Sequence, residues 1–322
     1  MHPDSSARTK PLSMFVLAMM NTAIVVGLEG LPEVGSFGLP LVLYYLIFTL
    51  IYFMPVGLVA AELGAGWPGS GGVYQWVKEA LGERVAFVAI WCQWVQILIW
   101  YPTVLAVCAV SVAYIFDPLL GSSAGFILAV SLAVFWFATL SNFRGLRASG
   151  FLTTLFLYAG TFVPVLLAIG LAGWWLASGR EPAIDLSVGA IVPEIESVGD
   201  FVGILAIFSF LSGLEVNAVH FNKVRDPQRS IALSILISGV LVLSVSVLGA
   251  LSVAVMVPVG GIDLAAGTLQ VFDRVLGELG VGWLVPFIAF LALAGMLGHI
   301  MVWVIGPTES LRVAADDGLI PP

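Results

Sequence analysis

Charge is scarce in this sequence. Of its 322 residues only 10% are Asp, Glu, Lys or Arg, where a soluble domain carries about 25%. That shortage excludes an ordinary globular enzyme and a disordered chain. Cysteine is nearly absent too. Cys92 and Cys108 fall on one expected helix, about 24 Å apart at 1.5 Å rise per residue, so a disulfide scaffold is excluded. There is no Gly-rich phosphate loop and no His-Glu-x-x-His pair. Nor does a nucleophile–base pair stand out for chemistry inside a membrane, so neither a catalytic residue nor a cofactor is expected. What the sequence has is apolar surface: 60% of residues are hydrophobic, and mean hydropathy is +1.07. Its 35 glycines and 17 prolines are scattered through apolar runs, which excludes collagen and low-complexity readings.

A membrane crossing needs roughly 20 mostly apolar residues. Eight such spans are expected, at 12–36, 39–63, 85–116, 123–141, 149–178, 200–220, 231–257 and 281–305. The first is too long for a signal-peptide core and lacks a cleavage pattern, so it reads as a retained span. Orientation follows from Lys and Arg. With the N-terminus inside, Arg8, Lys10, Lys78, Arg84, Arg144, Arg147, Lys223, Arg225, Arg229 and Arg312 share one side, and only Arg180 and Arg274 face the other. Ten against two makes the first side cytoplasmic. After the turn 64–72, the segment 73–82 (VYQWVKEALG) has its apolar residues at helical spacing and suits a helix lying in the interface. Asp226-Pro227 reads as an N-cap and first helical proline for span 7.

One tripeptide occurs twice at meaningful positions. Span 1 holds Gly27-Leu28-Glu29, followed by Gly30 and Pro32, and span 6 holds Gly213-Leu214-Glu215, flanked by Ser212 and Asn217. The two open units five spans apart. Five is odd, so the second unit crosses in the opposite sense. Interrupted segments in corresponding halves of an inverted repeat point to a transporter's binding site. Backbone broken in hydrocarbon must be covered by protein or a polar cavity. Half-helix N-termini then attract a carboxylate, while exposed carbonyls suit an ammonium group. An amino acid carries both. Glu215 is costly to keep charged near the bilayer centre, which makes it the expected carrier of a coupling proton. Glu29 has the same character nearer the outer end, and Glu33 is expected in the outer mouth. On span 3, Gln96 and Trp100 lie one turn apart and can face one pocket. His220, five residues from Glu215, and His299, alone on span 8, make no close ligand pair, so no metal site is expected. The basic clusters at 144–147 and 223–229 read as topology anchors.

Four stretches carry a family resemblance: MPVGLVAAEL (54–63), GWPGSGGVYQWVKEALG (66–82), SGLEVNAVHFNKVRDPQRS (212–230) and GPTESLRVAADDGLIPP (306–322). On these the chain resembles the amino acid–polyamine–organocation transporters, and within them the bacterial glutamate/GABA antiporter branch. The resemblance implies an all-α membrane protein with the LeuT-like fold of two inverted five-span repeats. It implies a secondary transporter, an antiporter or proton-coupled permease, moving amino acids such as glutamate across the inner membrane by alternating access. It places the unwound part of span 1 at Gly27–Gly30, including Leu28 and Glu29, where a substrate carboxylate would meet N–H groups. It places the unwound part of span 6 at Ser209–Glu215, so that Ser209, Phe210, Ser212 and Gly213 join Gln96 around the substrate, with Phe208 or Phe210 and Trp100 as aromatic gates. Sodium sites of this fold draw on span 8 hydroxyls, and 281–305 contains no Ser or Thr. Protons are therefore the expected second partner. Family members have twelve spans, and this chain is expected to hold eight. The division is then an N-terminus at 1–11, a first repeat at 12–178, an outer loop at 179–199, a partial second repeat at 200–305, and a cytoplasmic tail at 306–322 leading towards spans the chain lacks. A shortened, non-transporting sensor or assembly partner is the alternative expectation.

Overall fold

The computed structural model describes residues 13–67, 71–143, 146–193, 204–205, 207–216, 224, 227–258 and 266–320. Arg8, Lys10, Arg144, Asn217, His220, Lys223, Arg225 and Asp226 lie outside the described residues, as does most of the turn 68–70 and the loop 194–203. Among the described residues the protein is helical throughout, with no β-strand.

Among the described residues six helices are long and apolar enough to cross a membrane: Leu41–Gly66, Glu83–Phe116, Ala124–Ser141, Tyr158–Ala177, Arg229–Met256 and Gly282–Met301. They correspond to expected spans 2, 3, 4, 5, 7 and 8. Their outward faces carry Leu50, Ile51, Ile99, Leu128, Leu166 and Phe287, all exposed, as apolar solvent demands. Hydrogen bonds closed within each helix leave no backbone group for lipid to satisfy. Pro102 and Pro164 sit inside spans 3 and 5 without ending them. In span 2, Pro55 follows a π-helical turn at Thr49–Phe53. Proline has no N–H and its ring crowds the carbonyl four residues back, so the wider turn accommodates it.

The interface helix forms at Val73–Leu81, and Gly82, at φ +86°, turns the chain into span 3. The expected tail at 306–322 is not a simple tail. Span 8 continues as one helix, Val285–Asp316, through Pro307, where the Thr308 hydroxyl donates to the Val304 carbonyl at 2.5 Å. This extension packs on the interface helix: Tyr74 is fully buried against Ala86, Ile90 and Ala314. Asp317 accepts from the Tyr74 hydroxyl at 2.5 Å and pairs with Lys78 at 2.7 Å. Lys78, then Tyr74, hold the Asp317 carboxyl below the usual carboxylate range. A lowered folded-state value means the clasp is complete at neutral pH and is lost only as pH falls through that value.

Packing follows a two-fold pattern. Span 2 packs on span 7, and span 3 on span 8. Span 1 packs on span 7, and the counterpart contact joins span 6 to span 2, where Phe208 meets Phe48 and Tyr52 at ring separations of 5.6 and 4.1 Å. These are the contacts that exchange with one another when spans 1–3 are matched to spans 6–8. Spans 5 and 8 approach through Gly160 and Gly295, backbone against backbone.

Candidate functional site

Both spans that carry Gly-Leu-Glu are interrupted among the described residues. Span 1 is helical over Met14–Val25 and again over Leu31–Gly35, with the break at 26–30. The first half closes on Val26, whose N–H donates to the Thr22 carbonyl at 2.9 Å, and the second opens where Val34 N–H donates to Gly30 at 2.9 Å. Between them, the N–H groups of Gly27, Leu28, Glu29 and Gly30 make no backbone hydrogen bond to the described residues. In span 6, residues 207–210 are helical, Leu211 turns, and Ser212 and Gly213 are irregular before a short 3-10 turn at 214–216. Gly213 has φ +111°, in the left-handed half of the map that glycine reaches without strain.

This corrects one boundary. Ser209 and Phe210 were expected in unwound chain but still belong to the helix. The Phe208 and Ser209 carbonyls accept from Leu211 and Ser212 N–H at 3.1 Å, and the Gly213 carbonyl accepts from Val216 at 3.0 Å. Of the expected run of open carbonyls, Ser209 and Gly213 are thus already engaged.

The carbonyls released by the first break are met by side chains from distant spans. Leu28 O accepts from the Thr268 hydroxyl at 3.1 Å, in the helix Gly267–Glu278. Ile24 O lies 2.9 Å from His299 Nε2 and accepts from Trp303 Nε1 at 3.3 Å, both on span 8. Trp303 Nε1 also lies 2.8 Å from His299 Nε2. On the ring's other side, His299 Nδ1 is 3.6 Å from Glu29 Oε1, and both side chains are 6% exposed. Glu29 Oε2 is buried with no hydrogen-bond partner among the described residues. The Glu29 carboxylate folds back over Gly27, occupying the space a side chain there would need.

A cavity of about 500 Å³ opens between the breaks, within the range of small-molecule sites. Its wall includes Glu29, Glu33, Gln96, Trp100, Ser209, Phe210, Ser212, His299 and Trp303. The expected residues Glu29, Gln96, Trp100, Ser209, Phe210 and Ser212 are therefore brought together. Gly27, Leu28 and Gly30 form the break behind this wall, with Gly30 directly under the Phe210 ring: a Cβ there would stand 2.7 Å from Phe210 Cε1. Gly213 lies likewise under Trp303, 2.5 Å from ring to Cβ position. Phe208 is not at the cavity. It turns to span 2 because the helical turn at 207–210 sends residues 208 and 210 to different faces, so Phe210 is the aromatic of this pair that faces the site. Glu215 also lies off the cavity wall, within hydrogen-bonding reach of Gln93 and the Gly213 backbone. Span 2 supports this corner through Tyr52, whose hydroxyl is 3.2 Å from Ser212 Oγ. His299 and Trp303 are the residues that sequence reasoning missed. A histidine on an otherwise apolar span was the available signal, but its partners lie about 270 residues away in the chain.

A larger groove, about 640 Å³, runs along spans 3 and 4. It is lined by exposed Leu98, Leu128 and Leu132 and faces the outside of the bundle.

Residues 12–322 match the model of the family described as amino acid permease. The chain is 34% identical over 312 residues to an uncharacterized transporter of Legionella pneumophila, covering 97% of this chain and 67% of that protein. It is 30% identical over 317 residues to the glutamate/gamma-aminobutyrate antiporter of Lactococcus lactis subsp. cremoris, covering 97% and 63%. It is 24% identical over 312 residues to a probable agmatine/putrescine antiporter of Lactococcus lactis subsp. lactis, covering 96% and 65%. The chain thus spans about two thirds of the length of these relatives. A match that runs from the first span to the last residue, on a bundle with paired helix breaks, places the chain in the amino acid permease family.

Proposed function

We propose that the protein is a secondary transporter that carries amino acids or related amines across the cytoplasmic membrane by alternating access. The observation that supports this most is the convergence of two broken spans on one cavity. Peptide dipoles in hydrocarbon are tolerated where a polar ligand or protein covers them, and here they face a space sized for a small zwitterion. The substrate's carboxylate is assigned to the N–H end at Gly27–Gly30, and its ammonium to the carbonyl side of Leu211–Ser212. Gln96, Ser209 and Ser212 supply neutral hydrogen-bonding groups, while Trp100, Trp303 and Phe210 form the walls. The repeats occupy 12–178 and 200–305, the N-terminus is cytoplasmic, and the two halves rock about the fixed site. Coupling to protons needs a buried group that can take one up, and among the described residues the carboxylates of Glu215 and Glu29 stand at the breaks.

The relatives' names supply the substrates to try. Full-length protein in proteoliposomes is expected to exchange internal unlabelled substrate for external labelled glutamate, gamma-aminobutyrate, agmatine or putrescine. Counterflow of at least one, inhibited by excess of that same compound, is the expected result. Vesicles that bind none and exchange none, with the protein shown folded, contradict the reading.

A further inference from the structure

The expected proton carrier was Glu215, yet the arrangement around His299 points to a second candidate. Its Nε2 has two neighbours with opposite requirements. Ile24 O, at 2.9 Å, can only accept a hydrogen bond, whereas Trp303 Nε1–H, at 2.8 Å, can only donate one. Nε2 satisfies the first when it carries a proton and the second when it does not. Which state holds is set from the far side of the ring, where Nδ1 faces Glu29 Oε1 at 3.6 Å.

Proton counting over the pair makes the outcome independent of which residue holds the charge. With Glu29 ionised and His299 neutral, the ring proton sits on Nδ1 towards the carboxylate. Nε2 is then bare, and it accepts from Trp303. Adding one proton gives either ionised Glu29 with imidazolium, or neutral Glu29 with an imidazole protonated at Nε2. Both forms put N–H on Nε2. It then donates to Ile24 O, and the Trp303 N–H loses its acceptor on the ring.

We propose that the Glu29–His299 pair is the binding site of the coupling proton, and that Trp303 transmits its state from one helix break to the other. Trp303 is suited to this because its ring lies directly on Gly213, at the break of span 6. Trp100 of span 3 flanks both rings, with centroids 5.4 Å from His299 and 5.8 Å from Trp303, and so confines their movement. The titratable groups facing the pair are few. Span 1 adds Glu33 on the cavity wall, and span 3 adds Cys108, close enough to feel the Glu29 charge. Span 5 adds Tyr158 alone among its described side chains, and span 7 has only Arg229 at one end. Among the described residues no Lys or Arg lines the cavity, so no side-chain cation of its wall neutralises Glu29.

The inference rests on the transporter reading and gives it a stoichiometric link. An unprotonated pair holds a negative charge over Gly27, beside the N–H groups assigned to the substrate carboxylate. A protonated pair is neutral overall. Binding of a carboxylate-bearing substrate therefore takes up one proton.

The test combines affinity with spectroscopy in the full-length protein. For wild type, glutamate or gamma-aminobutyrate affinity is expected to fall by about tenfold per pH unit wherever the pair is unprotonated. Glu29→Gln combined with His299→Gln removes both groups that can hold the proton, so its affinity should be flat with pH. Glu215→Gln should retain the wild-type slope, whatever its rate. Because the chain has three histidines, ¹⁵N-histidine spectra assigned with His299→Gln report Nε2 directly. They should show it change from acceptor to protonated over the same pH range. A slope that survives removal of both Glu29 and His299, a slope lost in Glu215→Gln, or an Nε2 signal constant from about pH 5 to 9 overturns the proposal. If wild type exchanges no substrate, the transporter reading fails, and the histidine spectra alone still decide the proton site.

Discussion

Gly213→Ala is expected to abolish transport while leaving a destabilised protein in the membrane. Two effects act at one atom. The backbone at Gly213 has φ +111°, a region where side-chain-bearing residues are strained by about 1–3 kcal/mol. The added methyl would also stand 2.5 Å from Trp303 Cζ2 and 2.8 Å from Cη2, and overpacking of that kind costs a further 1–3 kcal/mol or so. Relief requires Trp303 to swing off the break, which pulls its N–H from His299 and Ile24. Damage at span 6 therefore reaches span 1. The measurement is thermal unfolding in detergent alongside counterflow. In a Trp303→Ala background Gly213→Ala should cost less than in wild type, because the ring clash is gone while the backbone strain remains, and transport should not recover. Equal stability of wild type and Gly213→Ala would show that the break is not built as described.

The second large effect lies at Gly160 and Gly295. A Cβ on Gly295 would stand 2.7 Å from the Gly160 carbonyl carbon, and a Cβ on Gly160 would fall inside the Gly295 backbone. Small residues allow this approach where lipid offers no hydrophobic drive for helices to associate. Either alanine substitution must push spans 5 and 8 apart, at about 1–3 kcal/mol or more. The double substitution should cost much less than the sum, because the second methyl enters a gap the first has opened. A coupling energy of about 0.5–3 kcal/mol is expected between such neighbours. Gly295 lies one helical turn before His299, so the displacement should also weaken substrate affinity. Additive losses in thermal unfolding would mean that the two glycines do not share one contact.

Most of the helical layout was legible because lipid imposes a simple rule. Twenty apolar residues in a row have few alternatives to a helix, and spans 2, 3, 4, 5, 7 and 8 appear where hydropathy placed them. The breaks were legible for a different reason: a Gly-Leu-Glu inside an apolar run conflicts with its surroundings, and the repeat of that conflict five spans later gave it meaning. The unwound stretch of span 6 was drawn too long, since Ser209 and Phe210 remain helical. Nothing in their types distinguishes a last helical turn from the start of a break. Phe208 was misplaced as a gate because helical phase, fixed by packing on span 2, decides which of two alternate phenylalanines faces the cavity. The apolar run of span 8 was expected at 281–305, with a tail after it. The helix continues because Leu311, Val313 and Ala314 dock against the interface helix, with Ala314 buried beside Tyr74, a tertiary contact the local pattern does not carry. His299 was read as isolated for the same reason. Its meaning comes from Ile24, 275 residues earlier in the chain.

The account stands on the interruption of both spans at the cavity, and hydrogen–deuterium exchange in lipid nanodiscs tests that most directly. Amides of Gly27–Gly30 and Gly213, which make no backbone hydrogen bond to the described residues, should exchange quickly in the absence of substrate, while the flanking halves of span 1 and the body of spans 3 and 8 remain protected. A saturating substrate identified by counterflow should slow both places together. Protection of these amides equal to that of the adjoining helices, or exchange there that substrate leaves untouched, would contradict the site.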